Sequence, residues 1–296
     1  MVRFLIMDIP GYLQSVVTFL AGQIGHRSYE DPQRLDQAAD HIAGRFAAAG
    51  YAVARQPFSF RGAVYHNIIA ELKGSTAPGQ VLVVGAHYDT VRTTPGADDN
   101  ASGVAGMLAL AELLARSKPA STVRFVAFAL EEPPAYRTRH MGSYHYARSL
   151  KEKGEDVRGM ICLEMIGFFS DDRGSQFYPL PFFKLAFPSR GNYIALVGNM
   201  RSRKFTQVIV GTLRKAADLP VVRLNAPPVV LGIDFSDHWS FNKFGYPALM
   251  VTDTAFFRNR NYHAPTDLPD TLDYARMAKV VEGLKAAIEE WTGCVE

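Results

Sequence analysis

His87 and Asp89 stand one residue apart in VLVVGAHYDTV (residues 81–91), directly after a short apolar run. PGADDNASG (95–103) then brings two adjacent carboxylates, Asp98 and Asp99. VRFVAFAL (123–130) ends in Glu131-Glu132, GMICL (159–163) ends in Glu164, and ALMV (248–251) precedes a loop carrying Tyr262-His263. Imidazole nitrogen and carboxylate oxygen are the groups that zinc takes in near-tetrahedral sites. His87, Asp98 or Asp99, Glu131 or Glu132, Glu164 and His263 suffice for two ions sharing one carboxylate. Paired ions in hydrolases sit roughly 3.5–4 Å apart, hold a water between them and bring its pKa down towards about 7.

The Glu131-Glu132 pair is informative because adjacent residues leaving a strand point in different directions. One can bind metal while its neighbour faces the water as a general base. Seen alone, the pair would read as a solvated acidic turn. Asp89, two residues from His87, could project to the same side and orient the imidazole.

Those residues need a frame that delivers them to one place. Val81 to Ala86, Val123 to Leu130, Gly159 to Leu163 and Ala248 to Val251 are short, continuous apolar runs. Such runs read as strands buried on both faces, as in parallel α/β sheets. Ligands of these sheets bind beyond the carboxyl ends of the strands, where all the candidates fall. Around this core the sequence predicts a helix from about Gly11 to Gln23 and another opened by Asp31-Pro32, with Leu35, Ala38, Ile42, Phe46 and Ala49 on one face and Gly50 as its stop. Residues 51–60 and 63–72 read as an antiparallel hairpin around Arg61-Gly62. A helix follows the Asp-Asp loop, from about Ala101 to Ser117. The last helix has Asp273 as cap and Tyr274, Met277, Val281, Leu284, Ile288 and Trp291 on one face. The expected fold is α/β: a three-layer α/β/α domain with a mostly parallel central sheet and antiparallel edge strands. A single domain over 1–296 is the simplest organisation, with N-terminal helices (1–50) packed on it. Residues 168–193 break the pattern with eight aromatics, three prolines and two glycines. A loop of that length in a compact domain is usually functional; its aromatics read either as core plugs or as the wall of a substrate pocket.

Composition narrows the classes. Hydrophobic residues make up 48% of the 296 and charged residues 21%, ordinary for a globular protein. The net charge is +3 without a basic stripe, so no nucleic-acid partner is indicated. No apolar run approaches the roughly 18 residues of a membrane span. The N-terminus is apolar but interrupted by Asp8 and Pro10, unlike the unbroken core of a signal peptide. A cytoplasmic chain is the expectation, with export left open. The two cysteines cannot build a disulfide framework; Cys162, inside an expected strand, reads as a small core residue.

GAHYDT, PGADDNASG, the Glu-Glu pair, LEMIG and NYHAPTD, in this order and spacing, resemble one zinc exopeptidase family. It includes bacterial leucyl-type aminopeptidases, glutamate carboxypeptidase II and glutaminyl cyclase. The resemblance runs from about His66 to the C-terminus. It implies two zinc ions per chain, a peptide substrate and a zinc aminopeptidase activity. By motif, it implies His87 and Glu164 as ligands of the first metal, Asp99 as the bridge, Glu132 and His263 as ligands of the second, and Glu131 as general base. It makes Tyr262 a contact of the substrate carbonyl and places a cis peptide after Asp99. Two departures stand out. Glu164 replaces the usual aspartate, which predicts a displaced and weaker first metal unless the backbone compensates. The Glu-Glu pair is followed by an unusually long loop, PPAYRTRHMGS. The alternatives are a glutaminyl cyclase with one zinc, a carboxypeptidase using Arg201, Arg203, Arg258 or Arg260 for the terminal carboxylate, and a non-catalytic binding domain.

Other polar residues read as structural. A Ser-Asp-His triad around His238 is set aside, because triad members meet in space rather than in sequence. Asp237 is expected as a pocket group or a helix cap. His140 and His145 read as surface or helix-start residues, His66 as structural, and His26 and His41 as solvated.

Overall fold

The computed structural model describes residues 7–178 and 183–294. Residues 1–6, part of the N-terminal stretch weighed above, and residues 179–182 of the aromatic loop lie outside the described residues. Eight strands form one sheet: β1 Val53–Phe60, β2 Ala63–Leu72, β3 Ala77–His87, β4 Ser121–Phe128, β5 Asp156–Leu163, β6 Ile194–Gly198, β7 Val221–Asn225 and β8 Ala248–Thr252. Their order across the sheet is β1-β2-β4-β3-β5-β8-β6-β7. β4, β3, β5 and β8 are parallel neighbours. The β1–β2 hairpin closes one side antiparallel to β4. On the other side β6 runs antiparallel to β8 and parallel to β7.

The helices are α1 Ile9–Val17, α2 Pro32–Ala48, α3 Gly103–Leu114, α4 Gly142–Glu152, the short α5 Phe183–Ala186, α6 Arg203–Ala216, α7 His238–Lys243 and α8 Tyr274–Thr292. α1 continues into a wider π-type turn over Thr18–Ile24. Strand alternation produces the three layers. Leu82, Val84 and Ala86 of β3 join a core with α1, α2, α3, α6 and α8, while Val81 and Val83 face α4 and α7. Asp31 and Asp273 cap α2 and α8, accepting from the Arg34 and Arg276 amides, a contact worth about 1 kcal/mol each. No described helix is long and apolar enough to cross a membrane.

Several readings change. β6, α6 and β7 were not anticipated: IALVG and VVRLN are five-residue runs flanked by polar segments. β4 ends at Phe128, so Glu131-Glu132 leave a turn beyond the strand, where Leu130 has φ 60°. His41 is not solvated. It stacks on Phe19 with centroids 3.9 Å apart, and burial, helped by Arg45, draws its pKa down to about 4. His140 and His145 are half-buried against Phe60 and Phe58.

Candidate metal centre

The carboxyl ends of the parallel strands meet at one point. His87 is the last residue of β3, Glu164 follows the end of β5, and Asp99 lies in the turn between β3 and α3. Glu131 and Glu132 come from the turn after β4, and His263 from the loop after β8. His87 Nε2 lies 3.2 Å from Glu164 Oε2 and 3.4 Å from Asp99 Oδ1. His263 Nε2 lies 3.1 Å from Asp99 Oδ2 and 3.2 Å from Glu132 Oε1. Asp99 therefore turns one oxygen to each imidazole. Two groups could hold a metal, His87–Asp99–Glu164 and Asp99–Glu132–His263.

A test of fit comes from the spacing. Ligand atoms around tetrahedral zinc at 2.0–2.2 Å stand about 3.3–3.6 Å from one another, and the four contacts of 3.1–3.4 Å come close to this. A second test is the buried Nε2 of His263 and Oε1 of Glu132, which have no hydrogen-bond partner although they are neighbours. Buried polar atoms are nearly always partnered, so a shared cation accounts for both. Glu131 belongs to neither group; its Oε2 is 4.0 Å from His87 Nε2.

The supporting contacts explain which carboxylate goes where. Asp89 accepts the Glu131 and Glu132 amides, both at 3.0 Å, and its Oδ1 lies 3.4 Å from His87 Nδ1. Proton placement is inferred from such contacts; here a hydrogen on Nδ1 leaves Nε2 free for metal. Asp98 turns away, accepting the Gly167 amide and Asn259 Nδ2. The Asp267 carboxylate accepts the Asp98 and Asp99 amides at 2.9 and 3.1 Å, holding the turn with its cis Asp99–Asn100 peptide. Ser236 Oγ donates to Glu164 Oε2 at 2.6 Å, and Met165 at φ 49° bends the chain directly after it. Ser236 and Asn259 carry no local sequence signal, and Asp267 closes the NYHAPTD motif without the motif revealing which amides it holds. Asp237 stands at the N-cap of α7 without capping it. It is buried near His87 and Glu164 with both oxygens unpartnered, and burial pushes its pKa up to about 7. His238 is buried and donates Nε2–H to the Ile233 carbonyl, outside any triad.

The electrostatics are those of a carboxylate-rich pocket. Burial, with Asp99 beside it, raises Glu132 to about 7. Burial also raises Glu131 well above the usual carboxylate range, with Glu164 and Glu132 adding to the effect. Burial opposes charge on His263, but Asp99 and Glu132 outweigh it and hold its pKa up to about 10. The same contest, won by Glu164, Asp89 and Asp99, pushes His87 well above its ordinary value.

A cavity of about 240 Å³ opens from Asp99, Glu131, Glu132, Glu164 and His263. Its lining is largely aromatic, with Phe177, Tyr178, Phe187 and Tyr193 from the 168–193 loop joined by Phe256 and Phe257. Tyr262 lines it as well, stacked on His263 at 3.8 Å. No lysine or arginine is among its described lining residues. Arg258, one of the four arginines considered for a terminal carboxylate, is buried behind the wall on Gln176 and the Phe168 and Tyr193 carbonyls.

Residues 67–288 match peptidase family M28. The chain belongs to peptidase family M28. The match takes in every residue of both metal-binding groups. The Escherichia coli protein YfbL is 41% identical over 283 residues, covering 93% of this chain and 86% of its own length. A zinc aminopeptidase from Bacillus subtilis superposes with a TM-score of 0.75 at 16% identity, over 95% of both chains. A glutaminyl cyclase from Fimbriiglobus ruber superposes with a TM-score of 0.68 at 23% identity, over 97% of both. At those identities the two structures establish a shared fold, and specificity rests on this chain's own residues.

Proposed function

We propose that this M28 chain is a zinc aminopeptidase built on a single domain, releasing N-terminal residues from peptides. The carrying observation is Asp99, whose two oxygens address two separate, complete ligand groups. His87, Asp99 and Glu164 would hold the first ion, and Asp99, Glu132 and His263 the second. Bound there, the ions would polarise the scissile carbonyl and acidify a water held between them. Glu131 Oε2 takes the proton of the attacking water and passes it to the leaving amine. Asp89 fixes the backbone of both glutamates and the ring of His87. Tyr262 lines the same cavity and would donate to the substrate carbonyl. The aromatic wall receives the first side chain, and the carboxylates around Asp99 favour a free ammonium end. Two ligand groups favour the peptidase over a one-zinc cyclase, and a cavity without cationic lining disfavours a carboxypeptidase. The unpaired thiols of Cys162 and Cys294 fit a reducing, cytoplasmic setting.

A panel of aminoacyl reporters, glutaminyl substrates included, tests this reading. Leucyl and phenylalanyl substrates should exceed alanyl ones in kcat/KM by about tenfold or more, since a well-filled apolar pocket discriminates at 1–3 kcal/mol per methylene. Cyclised glutaminyl product without hydrolysis of the others would replace the peptidase with a cyclase.

The Ser236 contact and the bend at Met165 support a position of Glu164 in which its extra methylene leaves the first ion undisplaced. Removing the 2.6 Å contact in Ser236→Ala should weaken first-site zinc about 10–100-fold, the usual effect of losing a partner that orients a ligand. A chelator titration showing two unchanged sites would rule this role out.

A further inference from the structure

Arg27 has no exposed surface. Its guanidinium is held by backbone carbonyls. Nε donates to Tyr88 O at 2.8 Å, and Nη2 to Gly96 O at 2.9 Å. Nη1 is shared among Leu20 O, Gly25 O and Pro95 O at 3.0, 2.8 and 2.7 Å. Its backbone adds a reciprocal pair: Arg27 N donates to Thr90 Oγ1 at 2.9 Å and Thr90 N to Arg27 O at 3.2 Å.

Leu20 and Gly25 belong to the N-terminal segment itself, whereas Tyr88, Thr90, Pro95 and Gly96 belong to two loops of the metal centre. Tyr88 lies between His87 and Asp89. Pro95 and Gly96 lead into the turn that carries Asp99. That junction has no slack: a Cβ on Gly96 would stand 2.3 Å from Asp99 O and 3.0 Å from Arg27 Nη2. A buried charge without compensation is costly. Asp267, Asp89, Asp99 and Glu132 supply an attractive field for this one, while burial still lowers its pKa to about 10. Arg27 lies outside residues 67–288, so nothing in the matched stretch accounts for it.

We infer that Arg27 is a positioning residue of the metal centre, locking the His87–Asp89 and Pro95–Asp99 loops together so that the N-terminal segment is part of the site. The inference rests on the two-zinc reading above. A planar fork reaching carbonyls on three segments is a task for arginine; lysine supplies one compact point charge.

Zinc affinity is measured by chelator competition on the full chain and on Arg27→Lys and Arg27→Gln, with the visible spectrum of the cobalt-loaded proteins. Affinity should fall about tenfold in the lysine variant and about 100-fold in the glutamine variant, within the range for lost supporting contacts. The cobalt bands should shift in both. Wild-type affinity and spectrum in both folded variants would reduce Arg27 to a structural role and overturn the inference. Should neither variant fold, hydrogen exchange on the wild-type chain decides. Zinc should slow the Arg27 and Thr90 amides together with residues 87–99; protection that leaves Arg27 unchanged overturns the inference. A wild-type chain that binds no zinc overturns the metal-centre reading, and this inference with it. Wild-type binding with unaltered variants overturns this inference alone.

Discussion

Stripping divalent metal with a strong chelator should bring turnover to background, and zinc or cobalt should restore it. Without a cation the centre gathers Asp99, Glu131, Glu132 and Glu164 around two protonated imidazoles. The water that must attack then keeps its bulk pKa of about 15.7 instead of falling towards about 7. Protons compete for the same positions. His263 holds one up to about pH 10 and Glu132 to about 7, so zinc binding must release protons and weaken as pH falls. Each displaced proton should change apparent affinity about tenfold per pH unit. Metal content by elemental analysis, assayed beside activity on a leucyl reporter, checks this. Full turnover in demonstrably metal-free protein would remove the basis of the whole mechanism.

Exchanging one oxygen for an amide should separate the two glutamates. Glu131 is buried, belongs to neither ligand group, and faces the space beside His87. Glu131→Gln keeps the shape and removes the proton acceptor. It should lower kcat by about 10²–10⁴, the range for general-base loss, while metal content stays near wild type. Glu132 stands 3.2 Å from His263, and Glu132→Gln should instead empty the second site. Asp89 holds both amides, so neither substitution disturbs the backbone that presents the pair. Kinetics and metal stoichiometry on the same preparations give the answer. Loss of metal in the Glu131 variant with retention in the Glu132 variant would exchange the two roles.

Part of this was legible from local pattern. Continuous apolar runs marked β3, β4, β5 and β8, since a strand covered on both faces has little room for polar residues. The carboxyl end of each run carried His, Asp or Glu, and a parallel sheet brings such ends together. Asp31-Pro32 and Asp273 announced their helices because an N-cap is a contact within one turn. The β6–β7 pair escaped notice because neither IALVG nor VVRLN ends in a His, Asp or Glu to mark it, and Arg223 interrupts the second run. Its antiparallel entry beside β8 depends on a partner more than fifty residues away in the chain.

Side-chain types and strand ends, then, were properties of the sequence alone: they reveal which ligands are available and that they converge. Only the tertiary structure decided which atoms face one another. Asp98 and Asp99 are equivalent as letters, and residue types alone left the choice open until the family motif favoured Asp99. Spatially they part because Gly167, Asn259 and Asp267, all distant in sequence, satisfy one side chain and aim the other. Asp89 looked like a partner for a histidine ring and proved also to grip two amides 42 and 43 residues on. Arg27 drew no assignment from the sequence; five carbonyls from separate segments bury it. Hydrogen bonds act over about 3 Å of space without regard to separation along the chain, so candidate ligands and Asp89 could be listed from a line of residues while the rest of the shell around them could not.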